Sequence, residues 1–119
     1  MKQGSFQTLT QTISQNLKPL RSGQPQLMQS FGALGKAALA PGAIDAKTKE
    51  LIALAIGVAT RCDGCIGYHT QALVRLGATE EEVQETLGVA VYMGGGPSLM
   101  YSASAVAAFR EFSEAKPDA

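Results

Sequence analysis

Proline and glycine punctuate this chain at intervals that leave only helix-length segments between them. Pro19, Pro41-Gly42, Gly77 and Gly94-Gly95-Gly96-Pro97 each remove a backbone donor or invite a turn that a continuing helix does not absorb. Between these points no run alternates apolar and polar residues, and the segments are rich in Ala, Leu, Gln, Glu and Met. Both facts predict an all-α fold. About six helices are expected: roughly Phe6 to Leu17, cut by Pro19; from about Pro25 to Ala40; from the Asp45 N-cap to about Thr60; from the cysteine segment to Gly77; from the Thr79-Glu-Glu-Glu82 capping box to the triple glycine; and from Pro97 through Phe112.

With 119 residues, one domain with a modest core is expected, and residues 1–119 are read as that single domain. Acidic and basic residues balance at ten each, so the chain offers no charged footprint for nucleic acid or for an anionic membrane. The apolar stretch Leu51 to Thr60 is half the length that spans a bilayer. The N-terminal stretch lacks the apolar run of a signal peptide, and its spaced Phe6, Leu9, Ile13 and Leu17 predict a helix instead. The expectation is a cytoplasmic protein.

Against that neutral background, Cys62-Asp-Gly-Cys65-Ile-Gly-Tyr-His69 gathers both cysteines and the single histidine within eight residues. In a reducing compartment a pair of this kind is a poor structural staple. A loop so short would also constrain the unfolded chain only weakly. On a helix starting near Cys62, residues Cys62, Cys65, Ile66, His69, Ala72, Leu73 and Leu76 share one stripe, while Asp63, Gly67, Thr70, Gln71 and Arg75 fall opposite. The first stripe is expected to face the core, which makes the site a half-buried pocket at a helix start. There the unpaired backbone N–H groups, the helix dipole and Arg61 favour a thiolate, and His69, one turn beyond Cys65, can accept its proton. Burial opposes them.

Glu50 is the second informative residue. It shares a helical face with the apolar Leu54 and Val58. A tight antiparallel turn near Arg61 sets His69 level with residue 53, and Glu50 lies three residues further along, about 4.5 Å of helix rise. That is within reach of a glutamate side chain, so Glu50 is the candidate to orient His69 or relay its proton.

Other readings of these residues compete. Cys62 and Cys65 could be small buried hydrophobes, or zinc ligands with His69 and either Asp63 or Glu50, although no second CxxC or HxxxH accompanies them. Covalent haem attachment is excluded because Ile66, not histidine, follows Cys65. Glu50 could simply complement its helix dipole from solvent. Tyr68 reads as a packing or rim residue. The triple glycine reads as a tight interhelical turn rather than a phosphate cradle.

Glu50-Leu-Ile-Ala-Leu, twelve residues before Cys62-x-x-Cys65-x-x-x-His69, resembles the alkylhydroperoxidase D-like branch of the carboxymuconolactone decarboxylase family. So do Leu76-Gly77-Ala78-Thr79-Glu80-Glu81-Glu82-Val83 and Met93-Gly94-Gly95-Gly96-Pro97. The resemblance covers roughly residues 25 to 112. It implies a compact helical bundle, trimers or hexamers, and a peroxidase cycle without metal, haem or other cofactor. By that likeness Cys65 is the peroxidatic thiolate, Cys62 resolves its sulfenic acid to a disulfide, and His69 with Glu50 forms the proton relay. A small peroxide is the implied substrate, and a thioredoxin-like or lipoyl-bearing protein the implied reductant. Family members with peroxidase activity often carry a histidine between the cysteines, where this chain has Gly64. This departure leaves room for disulfide exchange. The lactone decarboxylases of the family generally lack the CxxC pair. The alternatives are a lactone decarboxylase-like enzyme working by proton transfer in the same pocket, and a non-catalytic redox-sensing assembly subunit.

Oligomer formation also has a physical motive. The helix Tyr101–Phe109 is made of small residues suited to close packing, and Val89, Ala90 and Val91 in succession give the preceding helix more apolar circumference than one small core covers. The competing reading is that this helix is central in its own bundle.

Overall fold

The computed structural model describes residues 5–115. They form seven helices and no strand: α1 (Phe6–Asn16), α2 (Lys18–Gly23), α3 (Pro25–Leu39), α4 (Ala46–Ala59), α5 (Asp63–Arg75), α6 (Glu80–Gly94) and α7 (Gly96–Ala115). The addition to the expected six is α2. Pro19 does stop α1, but it then occupies the first turn of α2, where its missing N–H has no intrahelical partner to lose.

The helix starts are set by short polar side chains. Ser5 Oγ accepts the Thr8 N–H at 3.1 Å and Asp45 Oδ1 accepts the Thr48 N–H at 2.8 Å. At α6 the reciprocal box is complete, with Glu82 N–H donating to Thr79 Oγ1 (3.1 Å) and Thr79 N–H to Glu82 Oε1 (2.9 Å). Gly95 alone separates α6 from α7 and takes φ of 76°, a left-handed turn that a side chain would strain.

Helices α4, α5, α6 and α7 enclose the core. Leu54, Val58, Ile66, Leu73 and Val83 are fully buried, joined by Leu87, Ala105, Ala108, Phe109 and Phe112. Each of the larger side chains contributes about 1.5–3 kcal/mol on leaving water. The central helix is α5, which packs against α4, α7 and α1, and this corrects the expected division of its faces. Gly67 and Thr70 are buried rather than solvated, Gly67 under α1, and the Thr70 hydroxyl donates to the Ile66 carbonyl at 2.7 Å. Leu76, expected in the core, sits at the C-cap and is 44% exposed, because the chain turns away there. In contrast, α3 buries none of its residues.

Two ion pairs hold the start of α6. Lys47 of α4 donates to Glu82 at 2.8 Å, and Arg110 of α7 grips both Glu80 oxygens at 2.8 and 2.6 Å. The hydrogen bond from Lys47 holds the Glu82 carboxyl below its ordinary value, and the bond from Arg110 does the same for Glu80. A carboxyl depressed by folding stabilises the protein above its unfolded value, 4.5, and loses that contribution as pH falls through the lower folded value. Thermal unfolding followed between about pH 7 and pH 3 is expected to show a melting temperature that declines as pH falls below the unfolded carboxyl value of 4.5. Glu82→Gln keeps a capping-box side chain but not the charge, and should flatten part of that decline.

Candidate active site at the start of helix α5

The turn from α4 into α5 is made by Arg61, in the left-handed region at φ 58°. Its N–H donates to the Val58 carbonyl (3.1 Å), and the next N–H, that of Cys62, donates to the Gly57 carbonyl (2.9 Å). The chain thereby doubles back within two residues, and α5 runs beside α4. Cys62 is the N-cap of α5, its sulfur accepting the Cys65 N–H at 3.1 Å. A disulfide joins Cys62 to Cys65, with their Cα atoms 5.2 Å apart. Both residues are half-buried. The reading of the cysteines as buried hydrophobic thiols is thereby set aside.

The reversal at Arg61 places Glu50 of α4 against His69 of α5. Their Oε1 and Nδ1 atoms are 2.6 Å apart, with side-chain exposures of 12% and 27%. A carboxylate only accepts, so Nδ1 carries the hydrogen and donates, which leaves Nε2 as the proton-accepting nitrogen of the neutral ring. Glu50 lies on the Leu54–Val58 stripe, and both of those residues are fully buried. It is not reaching for solvent. His69 follows Cys65 by one helical turn on the same side of α5. The four candidate residues thus lie on the α4–α5 pair, joined in two contacts, the Cys62–Cys65 disulfide and the Glu50–His69 hydrogen bond.

Two contributors were not evident in the sequence. Gly57 faces Cys65: a side-chain carbon added there would lie 3.0 Å from Cys65 Cβ, and the Gly57 carbonyl also holds the Cys62 N–H. Its one signal was a glycine inside an apolar helix, a position that costs about 1 kcal/mol relative to alanine unless close packing requires it. Tyr68 is more than a rim residue. Its hydroxyl donates to the Thr10 carbonyl (2.9 Å) and, its single hydrogen spent there, accepts from Ser14 Oγ (2.6 Å), tying α1 to α5. Gly64 also has a steric reason, since a side-chain carbon there would lie 3.0 Å from Ile13 Cδ1. Among the described residues, no group of three or more His, Cys, Asp or Glu side chains is arranged to hold a metal ion, and no helix is long and apolar enough to cross a membrane.

Residues 25–108 match the model of the carboxymuconolactone decarboxylase family. The chain belongs to this family. A crystal structure of a family protein from Legionella pneumophila superposes with a TM-score of 0.89 at 57% identity, covering 91% of this chain and 96% of that one. A Thermotoga maritima family protein, for which involvement in an antioxidative response has been suggested, gives a TM-score of 0.71 at 36% identity, covering 76% of this chain and 94% of its own. An uncharacterized protein of Cupriavidus necator is 40% identical over 97 residues, 82% of this chain and 86% of that protein.

The contact at Gly57 yields a direct test. The atom that an added methyl would meet is Cys65 Cβ, with Cys65 C and Ile66 N at 3.8 Å behind it. None is the end of a flexible side chain, so the helices must part. Gly57→Ala is expected to destabilise the protein by about 1–3 kcal/mol in chemical denaturation, outweighing the helix propensity it gains.

Proposed function

We propose that this protein is a thiol-dependent oxidoreductase that reduces a peroxide, or exchanges a disulfide, by cycling Cys62 and Cys65 between dithiol and disulfide. The observation that carries the reading is the junction of a CxxC pair at a helix N-terminus with a histidine–carboxylate pair on the adjoining helix turn. The Cys62–Cys65 disulfide supports it, because this fold brings the two sulfurs within bonding distance of each other. The suggested antioxidative role of the Thermotoga maritima relative points the same way.

In the reduced protein, Cys65 is the attacking group. Its position in the first turn of α5 puts a thiolate near the positive end of the helix dipole, and the Cys65 N–H itself is held by the Cys62 sulfur. His69 takes the Cys65 proton at Nε2, while Glu50 holds the ring through Nδ1 and stabilises the resulting imidazolium. The thiolate attacks the distal peroxide oxygen. The O–O bond breaks, an S–O bond forms, and the alkoxide or hydroxide leaving group takes the proton from His69. Cys62 then attacks the Cys65 sulfenic acid, forming the disulfide and releasing water. A dithiol reductant, thioredoxin-like or lipoyl-bearing, restores both thiols and is itself oxidised. The balance is one peroxide and two thiol hydrogens consumed per alcohol and water formed.

Stoichiometric hydroperoxide added to reduced protein is expected to oxidise both thiols, with turnover on added dithiol. Cys65→Ser should abolish peroxide consumption, and Cys62→Ser should accumulate a sulfenic acid that dimedone traps. His69→Ala should lose about 100-fold or more and Glu50→Gln a smaller factor, with both retaining the fold by circular dichroism. Loss of the initial attack in Cys62→Ser would reverse the two cysteine roles. Thiols that fail to oxidise would sink the redox reading.

The outer surface supports a further proposal, self-association. Leu27, Phe31 and Leu34 lie at helical spacing on α3 and are 55%, 69% and 63% exposed, and Ile52 and Ile56 of α4 are exposed too, at 45% and 57%. A helix that buries nothing in its own subunit and exposes such a stripe is best covered by a second copy of the chain. Light scattering is expected to give a multiple of the chain mass, and Phe31→Glu to shift it toward monomer.

A further inference from the structure

Gly64, the second of the two residues between the cysteines, is covered by a helix that the family match does not include. Residues 25–108 carry that match, whereas α1 spans Phe6–Asn16. Ile13 Cδ1 lies where a side chain on Gly64 would begin, 3.0 Å from the position of its first carbon. One turn further along α5, the first side-chain carbon on Gly67 would lie 2.7 Å from Thr10 Cγ2 and 3.5 Å from Phe6 Cδ1. Phe6, Thr10 and Ile13 are one face of α1, and Gly64 and Gly67 are the bare strip of α5 that receives it. The two Tyr68 hydrogen bonds to Thr10 and Ser14 hold α1 along this strip. At its start the Phe6 and Gln7 N–H groups each donate to the Glu111 carboxylate of α7 at 2.9 Å.

The dithiol turn is therefore walled on two sides. Gly57 of α4 closes against Cys65, and Ile13 of α1 closes over Gly64. The exposed residues next to the cysteines are Arg61 and Asp63, at the loop end of α5. We propose that α1 is a size gate for the Cys62–Cys65 site, with Ile13 as the side chain that limits what reaches the sulfurs. This rests on the redox reading for its purpose, but the steric claim does not need turnover. Small peroxides pass at the loop end with α1 docked. Bulky hydroperoxides, and the reactive arm of a partner dithiol, gain access when α1 lifts from the glycine strip. That step gives up the two Tyr68 hydrogen bonds and the burial of Thr10 and leaves the α4–α7 core in place.

Thiol labelling of the reduced, full-length protein by one chemistry at two sizes tests this. Second-order rates are measured with N-methylmaleimide and with a dye-conjugated maleimide, for the parent, Ile13→Ala and Gly67→Val. The second substitution keeps Ile13 but drives a side chain into Thr10, undocking α1. Both variants are expected to raise the dye-maleimide rate by about tenfold and to leave the N-methylmaleimide rate within about twofold. Unchanged rates for both reagents, or equal increases for both, would overturn the gate, the second because it reports general loosening rather than size selection. If Gly67→Val does not fold, the milder Ile13→Ala decides the matter alone. Peroxide inactivity with size selection intact would refute the peroxidase cycle and leave the gate standing.

Discussion

The close approach of α4 and α5 at Gly57 and Cys65 is the contact on which the rest of the site depends. With no side chain on Gly57, the two backbones meet at the end where the chain reverses through Arg61. The same glycine's carbonyl takes the Cys62 N–H, which fixes the first turn of α5. From that pivot, Cys65 and His69 are carried along one helix and Glu50 along the other, and the 2.6 Å Glu50–His69 contact follows from register alone.

The proposed dithiol site lies at one end of a densely packed core, with less deeply buried helices outside it. The four-helix core of α4 to α7 contains the fully buried Leu54, Val58, Ile66, Leu73 and Val83, and α5 runs through it with the cysteines at one end. On one flank, α1 docks by a narrow face on two glycines. On another, α3 leaves its apolar stripe uncovered. The dithiol turn is held by the core, and the proposals for access and association concern the helices outside it. This division suits thiol chemistry, which needs fixed sulfur geometry but also a partner able to reach it.

Much of this architecture is legible in the amino-acid sequence. Helix breakers and caps announce the segments because they act locally. Asp45, Thr79, Glu82 and Gly77 perform their expected roles through bonds and dihedrals spanning three or four residues. The Glu50–His69 pair could be placed because two helices joined by a tight turn obey a fixed rise per residue. What failed was the division of α5 into a core face and a water face. Thr70 and Gly67 are buried because three other helices surround α5, and polarity along one helix does not count its neighbours. Leu76 is exposed for the converse reason, lying where the chain leaves the bundle.

The sequence by itself determined an all-helical chain, its reversal points, and a thiol–imidazole cluster at a helix start, since each of these rests on covalent constraint or on contacts within a turn or two. Tertiary structure alone decided that Gly57 supports Cys65, that Ile13 takes the space above Gly64, and that α3 is left bare. Those outcomes are set by how far apart packed helices stand, and a glycine records that distance only once its neighbour is in place.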